Sequence, residues 1–234
     1  MFSLNTIRPM TKSLRVLAAL LGYPDPQMRS HLPEMRELLH AERALSPSRL
    51  DELDALVDAL RCADPLEAES DYVELFDRGR GTSLHLFEHV HGDSRERGPA
   101  MIDLGQTYEK AGLILAEGEL PDYLPAVLEF VSTQPVREAK AFLGEMAHIF
   151  NAIFGALQHR SSAYASVLGA LIELAGEKAQ PVKPAVEEPL DESWAEPVVF
   201  DGCSTQGQAK PGQPQPIHVV RKNASTNAPS GARA

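Results

Sequence analysis

The sequence predicts an all-α fold: a single-domain helical bundle of about eight or nine helices, followed by a disordered Pro-rich C-terminal tail. From about residue 11 to about residue 178, apolar residues recur every three or four positions, the spacing of one helix face. No segment in that stretch alternates with period 2 for long enough to form a strand. Past residue 180 the period vanishes and eight of the 18 prolines accumulate, so the segment lacks the apolar surface to offset chain entropy.

The elements follow in order. Leu14, Leu17 and Leu21 open the first helix, which ends at Gly22 and the turn Tyr23-Pro24-Asp25-Pro26. Met28, Leu32, Met35 and Leu39 continue the spacing, and Pro33 divides that segment in two. Ser46-Pro47 reads as an N-cap and first helical residue, leading to Leu50, Leu53, Val57 and Leu60. Asp64-Pro65-Leu66-Glu67 resembles a capping box and starts a helix with Tyr72, Val73 and Phe76. Thr82 or Ser83 caps a short helix through Leu84, Leu86, Phe87 and Val90. Met101, Leu104, Tyr108 and Leu115 share one stripe, and Leu124, Val127, Leu128 and Val131 form a shorter helix ending before Gln134-Pro135. Val136, Ala139, Leu143, Met146, Phe150, Ile153 and Leu157 step alternately by three and four, the pattern of one continuous helix. Tyr164, Val167, Leu168, Leu171 and Leu174 close at Gly176. Short connections favour antiparallel neighbours, and there is no internal repeat.

This spacing divides the chain into a flexible N-terminus (1–10), a helical domain (11–180) and a mostly disordered tail (181–234). Within the tail, the island Trp194 to Phe200 follows an acidic run. It reads either as a sticky patch or as a short segment that docks on the body or on a partner.

Composition narrows the function. With 234 residues there is room for one good-sized core or two small domains. Lys+Arg at 22 against Asp+Glu at 33 argues against nucleic acid, and a net charge of −11 suits a basic peptide partner. The two cysteines, Cys62 and Cys203, exclude a disulfide scaffold and a CxxC zinc site and fit a reducing cytoplasm. The run Val16 to Leu21 is shorter than a signal-peptide core, and no stretch approaches the length of a membrane span. The expectation is a soluble cytoplasmic protein without membrane insertion.

The stretch Tyr72 to Met101 is unlike the rest, with histidines and charges crowded between Gly79, Gly81, Gly92 and Gly98. On a short helix, His85, Glu88 and His89 share one face. They match H-x-x-E-H, in which two histidines bind zinc and the glutamate acts as base. A zinc-dependent hydrolase is therefore one alternative, with His91 as a third ligand, although no sheet is available to hold a substrate. The other reading has these histidines and acids pair with Arg95 and Arg97 to pin a loop. No G-x-S-x-G, P-loop or strand-borne G-x-G-x-x-G is present, and Gly79-Arg80-Gly81 is too short to cradle a phosphate. No catalytic residue is named.

The run Ser83 to Gly98, SLHLFEHVHGDSRERG, resembles the hallmark segment of the nitrate reductase molybdenum cofactor assembly chaperones (NarJ type), within the redox-enzyme maturation chaperones. Flanking pieces agree: Tyr72 to Asp77, Ala100 to Leu104 and Leu17 to Pro24. Glu119 to Pro125 resembles the E-x-P-D-H stretch of the wider group, with Tyr123 in place of histidine, so no imidazole role is carried over there. The resemblance spans about residues 10 to 178. It implies an all-helical chaperone without catalytic activity, absent from the finished enzyme. Its partner would be the nitrate reductase catalytic (alpha) subunit, especially the N-terminal segment. The subunit is held competent for molybdenum cofactor insertion and kept from premature membrane attachment. No cofactor would be stably bound; cofactor delivery proteins are further candidate partners, and a related molybdoenzyme is the alternative client.

A helical bundle with an acidic surface and an apolar groove can take a basic amphipathic peptide. The expected groove lies beside 72–101 and 119–123. Tyr72, Phe76, Leu86, Phe87, Met101 and Tyr123 are its candidate walls, and Glu88, Asp93, Glu119 and Asp122 are candidate partners for Lys or Arg. Arg80, His85, His89, His91, Arg95 and Arg97 complete the candidate set. On this reading Glu88→Ala and Asp122→Ala would each lower peptide affinity with little change in stability.

Overall fold

A computed structural model describes residues 9–92 and 94–180. The residues 1–8, Asp93 and the tail with its 194–200 island lie outside the described residues.

Among the described residues there are 11 α-helices and no strand beyond an isolated bridge. They are α1 (Thr11–Leu20), α2 (Pro26–Ser30), α3 (Leu32–Glu42), α4 (Pro47–Cys62), α5 (Pro65–Phe76), α6 (Leu86–Val90), α7 (Arg97–Lys110), α8 (Leu124–Thr133), α9 (Val136–Glu145), α10 (Ala147–His159) and α11 (Ala165–Ala175). A 3-10 turn, Arg80–Thr82, separates α5 from α6. None of these helices is long and apolar enough to cross a membrane.

The all-α prediction holds, with a higher helix count. The 136–157 face, expected as one helix, breaks at Met146 just after Gly144. There the His148 ring bonds the Glu145 carbonyl at 3.0 Å, taking an acceptor from the helical ladder. The apolar stripe continues because α9 and α10 both pack on α11. Leu115 is not on the α7 stripe: α7 stops at Lys110, and the Leu113 N–H turns back to the Tyr108 carbonyl at 2.9 Å.

Helix ends follow the sequence at some places only. Asp25 caps α2 through the Met28 N–H at 2.7 Å, and Asp64 caps α5 through the Leu66 N–H at 3.0 Å. Ser46 occupies the N-cap position of α4, but its hydroxyl donates to Glu173 on α11 at 3.0 Å and its N–H does so at 2.6 Å. The serine thus ties two helices together instead of capping one. Gly176 ends α11 at φ 84°, the left-handed conformation glycine adopts without a Cβ penalty.

The core centres on α1, α8, α10 and α11. Leu14, Leu17 and Leu20 of α1, Leu21 just after it, and Val127, Leu128 and Val131 of α8 are all buried where α8 packs along α1. Phe150, Ile153 and Leu157 of α10 and Val167, Leu168 and Leu171 of α11 are fully buried where the two helices pack together. Burying each such side chain stabilises the fold by about 1.5–3 kcal/mol. Helix α11 is buried on nearly every side, as an apolar central helix should be. Met10, just before α1, also packs into this core.

Candidate functional site

The connector between α5 and α7 is held by the 119–123 turn that leads into α8. The Leu84 carbonyl accepts from the Leu124 N–H at 2.8 Å, and the Leu86 N–H donates to the Asp122 carbonyl at 3.0 Å, so His85 and Tyr123 form an antiparallel bridge. Their rings lie 5.5 Å apart.

Asp122 organises this junction. It is fully buried, and its carboxylate accepts from the Phe87 N–H at 3.1 Å and meets His85 Nδ1 at 3.3 Å. Arg97 stands 3.8 Å away and also pairs with Glu88 at 3.6 Å. The first turn of α6 is therefore capped from a distant segment, in place of the expected Thr82 or Ser83. Thr82 donates instead to the Leu75 and Gly79 carbonyls, closing the bend after α5. The hydrogen bond to Asp122 is the chief cause that raises the His85 pKa above its ordinary value, against the opposing pull of burial.

An aromatic relay backs the turn. The Tyr72 hydroxyl donates to the Leu21 carbonyl at 2.7 Å and accepts from the Tyr123 hydroxyl at 3.2 Å. Tyr72 also packs on Phe76, with ring centroids 4.8 Å apart. The Tyr108 hydroxyl donates to the Pro121 carbonyl at 2.7 Å, fixing the turn from the α7 side. Burial raises the pKa of Tyr72, Tyr108 and Tyr123, so all three remain neutral donors.

The expected site residues divide into two groups. Tyr72, Phe76 and Leu86 are at most 5% exposed, and Asp122 is at 0% with its oxygens engaged. These four, expected as groove walls and, for Asp122, as a partner for Lys or Arg, are buried and support the turn and the connector. Phe87, His91, Met101 and Tyr123 are half-buried, while Arg80, Glu88, Arg95 and Glu119 are exposed. Phe87 and His91 pack with ring centroids 5.4 Å apart. Asp93 lies outside the described residues.

The H-x-x-E-H triplet does not converge. His85 precedes α6 and faces Asp122, His89 Nε2 bonds the Ser83 carbonyl at 2.8 Å, and Glu88 pairs with Arg97. Each side chain has its own partner, as in the loop-pinning reading, with Arg97 the arginine used. Among the described residues no group of three His, Cys, Asp or Glu side chains is placed to hold a metal ion.

A part-apolar slot lies beside the same turn, with Glu119 in its wall. It encloses about 370 Å³ between the 111–119 loop and α8. Leu113, Leu115, Ala126 and Phe130 supply apolar wall, and Glu119, Glu129 and Arg15 supply charge. Ile114, 92% exposed, stands at its rim. Of the expected residues only Glu119 lines it. A signal was present in the sequence: the triplet Leu113-Ile114-Leu115 sits between Gly112 and Gly118, too short for a core helix and too apolar for a simple loop.

Residues 42–168 match the family model described as the nitrate reductase delta subunit. Over 162 residues the chain is 44% identical to the nitrate reductase molybdenum cofactor assembly chaperone NarJ of Escherichia coli (strain K12), a match covering 69% of each chain. It is 40% identical over 163 residues to the NarW protein of the same organism, covering 70% of this chain and 68% of that one. The fold is similar to that of a crystal structure from Archaeoglobus fulgidus, described as a redox enzyme maturation protein. That likeness has a TM-score of 0.53 and 20% identity, covering 72% of this chain and 94% of the other. With the connector segment and the helical body both accounted for, the chain belongs to the NarJ-type nitrate reductase molybdenum cofactor assembly chaperones.

Proposed function

We propose that the protein acts in the cytoplasm on the catalytic (alpha) subunit of a respiratory nitrate reductase. It binds the subunit's N-terminal segment, holds the subunit open to molybdenum cofactor insertion, and delays its attachment to the membrane anchor. The cofactor passes to the client, and cofactor delivery proteins meet the chaperone–client complex. Family membership supports the client class.

The observation that carries the peptide-binding part is the slot beside the 119–123 turn, with apolar walls and the exposed Ile114 rim. Such a slot suits the apolar face of an amphipathic helix, while Glu119 and Glu129 receive Lys or Arg from its polar edge. On this reading Glu88 and Phe87, on the connector that the 119–123 turn holds, add contacts to the client outside the slot.

Calorimetric titration of the full chain with a synthetic peptide of the client's N-terminal segment tests this reading. Micromolar or tighter binding that weakens with salt is expected. No heat and no competition at low salt, with the fold intact, would overturn it.

A further inference from the structure

Helix α5 has two apolar stripes, and only one enters the core. Ala68, Tyr72 and Phe76 are buried. On the outer side, Leu66 is 76% exposed and Val73 lies two turns further on, with the small Ser70 between them. Val73 is half-buried, so Leu66 alone would be ordinary; what joins them into one surface is a shared cleft. Tyr23, 45% exposed, extends the stripe from the α1–α2 turn. Its ring packs edge-on against Tyr72 at 5.6 Å, and its hydroxyl donates to Glu69 at 3.0 Å. The ring is therefore held in place although it faces solvent. Together these groups border a cleft of about 290 Å³.

Charge decides what would fill it. Arg78 is taken by Glu74 at 2.9 Å. Glu69, Asp25 and Asp77 add a negative field at Tyr23. Anionic lipid and nucleic acid are repelled by such a rim, whereas Lys and Arg are drawn to it. From Leu66 to Val73 the stripe runs roughly 10 Å, two turns of helix. Ser70 at its middle leaves a groove into which a ridge of a partner helix can settle.

We propose that this outer face of α5, with Tyr23, is a second docking surface that takes a cationic amphipathic helix of a partner polypeptide other than the client's N-terminal segment. It shares no lining residue with the slot between the 111–119 loop and α8. The assignment stands on its own residues and does not depend on the client reading. Taken together with the client reading, it lets one chaperone molecule hold its client and a second protein at once.

The test uses the full chain and a fluorescently labelled, end-capped amphipathic peptide of leucine and lysine, followed by anisotropy. The double variant Leu66→Glu/Glu69→Lys is expected to bind at least tenfold more weakly with an unchanged melting temperature. The slot suits the same kind of peptide, so these affinities are read in an Ile114→Asp background that disables it, and there client peptide is expected to leave the labelled peptide in place. Unchanged affinity in the double variant, or displacement by client peptide, would overturn the proposal. Failure of the client peptide to bind the chain with Ile114 intact would count against the client reading and leave this one standing.

Discussion

Asp122 performs work that residue type alone does not reveal. An aspartate in a Pro-Asp turn suggests an exposed acid ready for a ligand, yet here it is fully buried against the Phe87 N–H, His85 and Arg97. Removing one partner of a buried, charge-assisted set leaves the others unpaired. Asp122→Ala is therefore expected to destabilise the fold by about 2–4 kcal/mol, measured by urea denaturation. A stability loss below roughly 0.5 kcal/mol would return Asp122 to the surface. His85 adds a pH dependence. Its pKa is raised in the folded state, so its contribution is complete below the unfolded value near 6.5 and fades as pH rises through the folded value. The gap in melting temperature between wild type and His85→Asn should accordingly narrow from pH 6 to pH 8; a constant gap would refute this. Glu88 is exposed and pairs only loosely with Arg97. Glu88→Ala is expected to weaken client-peptide binding several-fold, with a melting temperature within a degree or two of wild type.

At the scale of elements, the connector and the loop before α8 hold the site together, and their glycines and caps set its shape. Gly79 ends the bend after α5, and a Cβ there would stand 2.9 Å from the Leu75 carbonyl oxygen and against Thr82. Gly79→Ala forces that bend apart and is expected to cost about 1–3 kcal/mol in urea denaturation. Loss of peptide binding without loss of stability would show that Gly79 serves contact instead. Ile114 makes the converse case, because 92% exposure leaves it no structural duty. Ile114→Asp should lower client-peptide affinity at least tenfold in calorimetry and leave the urea midpoint unchanged; equal affinity would remove the slot from the binding surface. Helix positions were legible because the 3.6-residue period survives in one dimension. The break at Met146 was not, because the stripe from Val136 to Leu157 runs unbroken through it and only the packing of α9 and α10 on α11 requires two axes. The reading of Ser46 as a cap missed Glu173, a partner 127 positions away.

For the molecule as a whole, net charge bears on the client segment proposed above. An excess of 33 acids over 22 bases predicts that binding of a basic client segment weakens as salt rises, because screening shortens the reach of the field. The amino-acid sequence by itself determined the all-α architecture, the order of the helices, the family and the unusual connector. The architecture and helix order are local patterns of period, and the family is carried by the resemblance of the 83–98 segment; both are readable without knowing what packs on what. Tertiary structure alone decided which of those residues face solvent: Tyr72, Phe76, Leu86 and Asp122 turned inward, while Ile114 and Leu66 were left outside. The physical reason is distance along the chain. Asp122 acquires its role only when the 119–123 turn crosses the connector 35 positions earlier, and the slot exists only where the 111–119 loop folds against α8.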